Sequence, residues 1–378
     1  MDSQAPARTQ LPAFATTTRL FARALGWSPQ QLLDTFRPAT ADDLPALLDF
    51  RRRDGWDDAA YLRWRYGLDG REHPYGRLWI LRSEVAVLGI IGSERQPVRY
   101  DGHLYDGQVL MDVQIDPALA DAGAGAWFNQ AMFEQGDPTL AVGANDHSVG
   151  LVRRLFQPLP NRSYYMLPLE AAALLRQRGT PAAVAALAGP LFNAGWWLRE
   201  RMRYGRGEGG LQITEVASVD PRWLQDLYDA LPARIACVTP SAGHLEWRLF
   251  RNPRAGYRLF VATRDGRCTG YLAARHVPAA EGQPAALHII DWKTMADDAT
   301  LPALMRAAIA QARHHGCSKV FTTTLDAPAG ATLARLGFLC RQAPMLVAGV
   351  HSSLPLPGHG APGQWRITDL SFDNDGSY

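Results

Sequence analysis

Lysine is nearly missing from this chain. Of its 39 basic residues only Lys293 and Lys319 are lysines, and the arginine excess reads as codon bias rather than function. Charge of one sign is lacking too. The 39 basic and 37 acidic residues leave a net charge of +2, which gives no electrostatic case for a nucleic-acid partner. Cysteine is scarce and scattered: Cys237, Cys268, Cys317 and Cys340 form no C-x-x-C pair and read as free thiols of a reducing compartment. His314-His315 with Cys317 has metal-binding residue types. It sits at a helix end without further ligands at useful spacing, so no metal is expected. No run approaches the ~18–20 apolar residues of a membrane span, and Met1 to Pro12 lacks the apolar core of a signal peptide. The expectation is a cytoplasmic protein with neither a membrane span nor a nucleic-acid partner. The aromatic segment Phe192 to Trp197, ahead of the basic stretch Arg199 to Arg203, is expected at an interdomain or homodimer contact rather than on a membrane surface.

What the chain does have is length and an internal repeat. Its 378 residues, 47% hydrophobic, suffice for two packed cores. Tyr61-Leu62-Arg63-Trp64-Arg65-Tyr66 is echoed by His244-Leu245-Glu246-Trp247-Arg248-Leu249. Arg77-Leu78-Trp79-Ile80 is echoed by Arg258-Leu259-Phe260-Val261, and Leu88-Gly89-Ile90-Ile91 by Thr269-Gly270-Tyr271-Leu272. Each copy then reaches a strand ending in aspartate, Leu110-Met111-Asp112 or Ile289-Ile290-Asp291. Trp64 to Asp112 is 48 residues and Trp247 to Asp291 is 44. The next polar strand end, Asn145 or Asp326, follows 33 or 35 residues later. Four matches in order at nearly equal spacing argue for duplication.

Within the first copy, Thr40 suits a helix N-cap with Asp42 and Asp43 in the first turn. Trp79 to Leu81 and Val85 to Ser93 read as strands. Asp101-Gly102 marks a hairpin, and Gln108 to Asp116 is the following strand. Gly123 precedes a helix from Ala126 to Gln135. Leu140 to Ala144 and Tyr164 to Leu169 are further strands, with a short helix from Ser148 to Phe156 between them. This order predicts an α+β fold with two mixed, mostly antiparallel sheets flanked by helices. The expected organisation is a helical extension over 1–35 with a helix from Thr18 to Phe36, a first domain over 36–170, a helical linker over 171–209 broken near Gly179 and Gly189-Pro190, a second domain over 210–350 and a tail over 351–378.

The run Arg37-Pro38-Ala39-Thr40, the strand Leu110 to Pro117, the loop Ala120 to Ala126 and the helix after Gly143-Ala144-Asn145 together resemble the GNAT superfamily of acyl-CoA-dependent acyltransferases. Leu287 to Trp292 and Asp326 through Phe338 resemble it a second time, which makes two tandem GNAT-like domains over about 36–170 and 210–350. The resemblance implies acetyl-CoA or another acyl-CoA as donor and a small-molecule amine as acceptor. It implies a pyrophosphate site at a glycine turn opening a helix, where backbone N–H groups and the helix dipole favour negative charge. Gly123, Ala124, Gly125 and Ala126 stand at that turn. Val113, Gln114 and Ile115 line the strand beside the pantetheine arm, and Asn145 ends the next strand. Ala120 stands where the family carries a basic or amide residue, and Asp121 adds an unfavourable charge.

Asp112 is the candidate general base; its structural alternative is an aspartate holding backbone where the strands part. The tyrosine that protonates the leaving thiolate in the family is missing, since Val152 and Leu333 occupy its positions. Tyr164 or Tyr165 on the next strand are candidate substitutes. The second copy has no glycine between Thr294 and Thr300, so the acyl-CoA site is expected in the first. The function expected is bacterial-type N-acyl transfer by direct attack. A Fem-type aminoacyl transferase and a non-catalytic binding module share the fold and stay open.

Overall fold

The computed structural model describes residues 12–56, 58–70, 75–136, 138–144, 146–177, 179–204, 210–254, 256–280, 283–295, 299–342, 347–353 and 365–371. In chain order the first elements are α1 (Pro12–Leu25), α2 (Pro29–Thr35), β1 (Phe36–Pro38), α3 (Leu44–Arg52), α4 (Ala59–Tyr66), β2 (Gly76–Arg82), β3 (Val87–Tyr100), β4 (His103–Ile115), α5 (Ala124–Phe133), β5 (Thr139–Val142), α6 (Val149–Leu155) and β6 (Gln157–Pro158). Then come β7 (Ser163–Pro168), α7 (Ala171–Gln177), α8 (Ala182–Tyr204), β8 (Gln212–Val216), α9 (Pro221–Asp229), β9 (Ala236–Val238), α10 (Ala242–Phe250), β10 (Tyr257–Arg264), β11 (Arg267–Val277) and β12 (Ala286–Thr294). The last are α11 (Thr300–His314), β13 (Lys319–Thr324), α12 (Ala327–Arg335), β14 (Leu339–Gln342), β15 (Ala348–His351) and β16 (Trp365–Arg366). Two compact units result. The first comprises Met1–Val98, Leu104–Leu159 and Val347–Gly360; the second comprises Arg99–His103, Pro160–Leu346 and Ala361–Tyr378.

In the first unit the strand order is β1-β2-β3-β4-β5-β15-β6. The pairs are antiparallel except β4 with β5, which is parallel. One face packs on α5 through Trp127, Phe128 and Met132, with Leu81, Ile91 and Leu110 from the strands. α1 belongs to this layer: Phe14 and Phe21 lie against the Trp127 ring, whose Nε1–H donates to Thr18 at 3.0 Å. The other face packs Leu78, Ile80 and Ile90 on Leu47 of α3 and Leu62 of α4. Arg65 of α4 pairs with Glu94 of β3 at 2.8 Å, both fully buried, which ties the helix of the Trp64-Arg65 motif to the sheet.

In the second unit the order is β14-β7-β13-β12-β11-β10-β8, with β12 and β13 parallel. Its core sets Leu304, Met305 and Ala308 of α11 on Leu272, Ile289 and Val320. Each of these seven-strand paths therefore contains one strand from outside its sequence block. β15 lies between β5 and β6, and β7 lies between β13 and β14. This corrects the expectation that Tyr164 to Leu169 continues the first sheet. Alternating apolar residues determine which faces of a strand are buried, not which sheet receives it.

Local chemistry accounts for most boundaries. Asp101 and Gly102 both have positive φ, 48° and 77°, as a two-residue type I′ hairpin requires. The Asp43 carboxylate accepts from the Thr40 N–H at 2.9 Å and hydroxyl at 3.1 Å. Hydrogen bonds from Arg37 hold it down to about 2. The expected helix from Thr18 to Phe36 is two helices instead. Gly26 at φ 71° ends the first, and Ser28, accepting from Gln31 N–H at 3.0 Å, starts the second with Pro29 in its first turn. α8 runs through Gly189-Pro190, where a break was expected. A Cβ on Gly189 would meet that of Ala172 at 2.6 Å, so this glycine serves helix packing.

The second unit also buries an ionic cluster. Asp369 accepts from Arg162 at 2.6 Å and sits 2.8 Å from His288 Nε2. It accepts from the Thr323 hydroxyl as well, and from the Thr323 N–H at 3.2 Å. Burial holds His288 below its ordinary 6.5, so the neutral ring donates to Asp369. Burial opposes ionisation of Asp369, but the bonds from His288, Arg162 and Thr323 keep its carboxyl below the usual 3.8. Both folded values lie below the unfolded ones, so the stability they contribute is complete above about pH 6.5 and falls as the solution is acidified. Denaturant midpoints measured from pH 8 to pH 5 should fall below about pH 6.5, and the fall should shrink in His288→Gln. An identical profile in that variant would assign the effect to another group.

Candidate functional site

The site of interest is the gap that opens between two parallel strands of the first unit. β4 and β5 pair only at Gln108 with Thr139, Val109 with Leu140, and Leu110 with Ala141. β4 then continues to Ile115, while β5 stops at Val142. Gly143, at φ 90°, turns the chain aside and donates its N–H to Val347 at 2.7 Å. At the point of parting, Asp112 has φ 50°, a left-handed conformation that interrupts the pleat.

Two side chains hold Asp112 there. The Tyr66 hydroxyl donates to Oδ2, and the Arg51 guanidinium approaches Oδ1 at 3.3 Å. The Arg51 and Asp112 side chains are 0% and 3% exposed. Arg51 is itself fixed by its Nε–H, which donates to the Trp56 carbonyl at 3.1 Å. Tyr66 reaches across β3 only because residue 92 is glycine; any Cβ there would collide with the tyrosine hydroxyl and meet Met111 Cγ at 3.1 Å. The carboxylate is thus turned inward, while Val113, next along the strand, is 41% exposed. Gln114 Oε1 is enclosed without a hydrogen-bond partner, an acceptor available to a bound donor.

Beyond the strand, Asp116 accepts from Ala118 N–H at 2.9 Å and starts a 3-10 turn over Pro117–Ala122. Gly123 follows at φ 75° and opens α5, whose first turn has no side-chain cap. A Cβ at Gly123 would meet nothing within 4 Å, so the glycine serves backbone conformation and leaves the helix start open. Gly125 is different: a Cβ there would approach Leu151 at 3.2 Å, so its smallness lets α6 pack on α5. Ala124 is fully buried, Ala126 half-buried and Asp121 exposed. An open, uncapped helix N-terminus favours anions.

The structure thus brings Asp112, Val113, Gln114 and Ile115 onto one strand and joins them through a short turn to Gly123, Ala124, Gly125 and Ala126. Asn145 lies outside the described residues, as does part of the second copy's loop, residues 296–298. Tyr164 and Tyr165 stand on β7, in the sheet of the second unit. Burial pushes the Tyr164 hydroxyl up to about 12 and raises that of Tyr165. The Tyr165 hydroxyl rests on Gly330 of α12. Val152 packs on the first core and Leu333 is fully buried in the second. Arg51 and Tyr66 were not foreseen: nothing in the sequence marks an arginine 61 positions upstream, or a tyrosine 46 upstream, as partners of Asp112.

The second unit repeats the geometry with other residues. β12 and β13 pair from Ala286–Lys319 to His288–Phe321 and then part. Ala273 faces Asp291 while Ala274 faces Ile289, so Ile290 is the extra residue of a bulge. Asp291, fully buried, accepts from the Tyr271 hydroxyl at 2.6 Å and from Lys293 at 2.7 Å. Both units therefore set an aspartate, a tyrosine hydroxyl and a cation at the parting point. The tyrosine comes from a helix in one unit and a strand in the other.

Among the described residues no group of three metal-ligating side chains occurs, and no helix is long and apolar enough to cross a membrane. Neither a protein family nor a curated protein matches the chain by sequence. By structure it is similar to a conserved protein of unknown function from Enterococcus faecalis V583, a probable N-acyltransferase. The TM-score is 0.55 at 11% identity, over 83% of this chain and 71% of that one. It is also similar to a GCN5-related N-acetyltransferase from Anabaena variabilis ATCC 29413, with a TM-score of 0.52 at 14% identity and the same 83% and 71% coverage. The likeness is one of fold: mixed α+β, with two mostly antiparallel sheets flanked by helices.

Removing the Asp112 carboxylate takes a buried negative charge away from the buried Arg51, so Asp112→Ala should destabilise the first unit by about 3–5 kcal/mol. Gly92→Ala should lose about 1–3 kcal/mol by displacing Tyr66, and less in a Tyr66→Phe background. Denaturant unfolding of the four proteins and the Gly92/Tyr66 double variant checks this. An undiminished Gly92→Ala loss in that background would contradict the contact.

Proposed function

We propose that the first unit binds an acyl-CoA and transfers its acyl group to a small amine. The observation that carries this reading is one continuous track: a strand that leaves its parallel neighbour at Asp112, followed by an open, uncapped helix start at Gly123. The turn would hold the pyrophosphate, and the gap beside Val113, Gln114 and Ile115 the pantetheine arm. Backbone N–H groups of the freed strand would polarise the thioester carbonyl. The amine nitrogen attacks that carbon, the carbon–sulfur bond breaks, and the nitrogen's proton leaves with the thiolate or to water. A thiol's ordinary value near 8.5 lets it depart without a dedicated acid.

Asp112 acts in this account as a positioning residue. Its carboxylate already accepts from Tyr66 and faces Arg51, and these contacts fix where the strand parts. Tyr164 and Tyr165, which stand on β7 in the sheet of the second unit, are not assigned to the reaction. A binding-only role is the second reading. It is favoured by Val152 at the position where an acid would be expected in α6.

Titration calorimetry with acetyl-CoA tests the proposal. The chain should bind about one equivalent. Gly123→Asn, which tolerates positive φ, should retain binding, and Gly123→Glu should lose it at equal folded content. Absence of binding to all three would refute an acetyl-CoA donor, and binding unaffected by glutamate would remove the site from this turn. Turnover with an amine acceptor separates the transferase from the binding module.

A further inference from the structure

The two units part their central strands alike, but among the described residues the second gap alone receives a piece of the chain itself. Residues 365–371 run into the second gap. Trp365 and Arg366 pair in parallel with Ala236 and Cys237. Arg366 then spans the mouth: its Nε lies 3.0 Å from Asp326, just past the end of β13, and its Nη1–H donates at 3.4 Å to the carbonyl of Thr294, the last residue of β12. The Thr368 hydroxyl donates at 2.6 Å to Asp291, the bulge aspartate of β12. Asp369 reaches both strands at the parting point, bonding His288 of β12 and Thr323 of β13. Ile367 is 0% exposed, and Trp365, Thr368, Asp369 and Leu370 are each at or below 4%.

Two consequences follow. The groups that would meet an acyl-CoA arm in this unit are already bonded to the chain's own side chains. Withdrawing the segment would strip Arg162 and His288 of a shared buried carboxylate and Asp291 of a donor, a steep loss in a dry interior. Independently, the first residue of α11 is packed on β11. Thr300 of α11 is fully buried and its hydroxyl donates to Thr269 at 3.1 Å. A Cβ on the neighbouring Gly270 would meet Thr300 Cγ2 at 2.9 Å.

We propose that residues 365–371 are a built-in peptide ligand of the second unit, a permanent occupant that keeps acyl-CoA out of this gap. The polar track Arg366-Ile367-Thr368-Asp369 makes the second gap a peptide site used in cis, while its twin in the first unit remains available to a small molecule.

The test inserts a site-specific protease sequence between Gly358 and His359 of the full chain and cuts the folded protein. Gel filtration and mass spectrometry then ask whether the C-terminal fragment stays. It should co-elute without loss through a desalting step and leave only on denaturation. In Asp369→Asn, which keeps the shape but removes the charge shared by Arg162 and His288, the fragment should be lost on cutting. Hydrogen exchange on the uncut chain is the second readout, independent of how the nicked protein behaves. Amides of residues 366–370 should be protected as strongly as those of β12, with or without acetyl-CoA. Release of the fragment from the wild-type protein, or exchange of these amides as fast as in a free peptide, would overturn the proposal. Neither readout requires acyl-CoA binding by the first unit, so failure there and failure here are distinguishable.

Discussion

Two parallel strands that must part need something at the fork to hold them apart. In this protein that something is a buried aspartate. A carboxylate inside a protein is tolerable only when cations and donors surround it, and the partners it recruits become struts. Arg51 and Tyr66 fix Asp112 in the first unit; Lys293, Tyr271 and Thr368 fix Asp291 in the second. Because the partners come from different elements in the two units, the shared requirement is for the carboxylate and its neutralisation rather than for any one pair of residues.

From equal forks the two units diverge in what the fork is for. In the first, the strand beyond Asp112 reaches a glycine turn and an open helix start. In the second, Thr300 at the start of α11 packs on Thr269 and Gly270 of β11, and residues 365–371 bond both strands of the fork. On the proposed reading one fork serves a diffusible ligand while the other is part of a core. Both aspartate side chains are buried and bonded on both oxygens; what differs is the next residue, an exposed Val113 in the first unit and a buried Trp292 in the second.

Much of this was legible in the sequence. The Trp-Arg helices, the glycine-bearing strands and the aspartates recur at matching spacings, and the structure sets both aspartates at strand partings, although both strands run on past the aspartate where the sequence suggested they end. The Asp101-Gly102 hairpin and the Thr40 start are written in local chemistry, which acts over a few residues. Three things were not legible. The exchange of β7 and β15 was hidden because an apolar strand does not name its neighbours. Tyr66 and Arg51 were hidden because their meeting with Asp112 depends on a close approach over Gly92. The role of Arg366 to Asp369 was hidden because a polar run in a region rich in proline and glycine looks like surface until its partners are known. The break at Gly26 was not read, although Gly26-Trp27-Ser28-Pro29 carries a helix stop followed by an N-cap and a proline.

The central claim is that of two like forks the first takes a diffusible ligand and the second is filled by residues 365–371. The most direct measurement is a crystal structure of the chain soaked with acetyl-CoA. The account predicts added density along Val113 to Ile115 and at the Gly123 turn, with residues 365–371 unmoved between β12 and β13. Density for the nucleotide in the second fork, with those residues displaced, would contradict it.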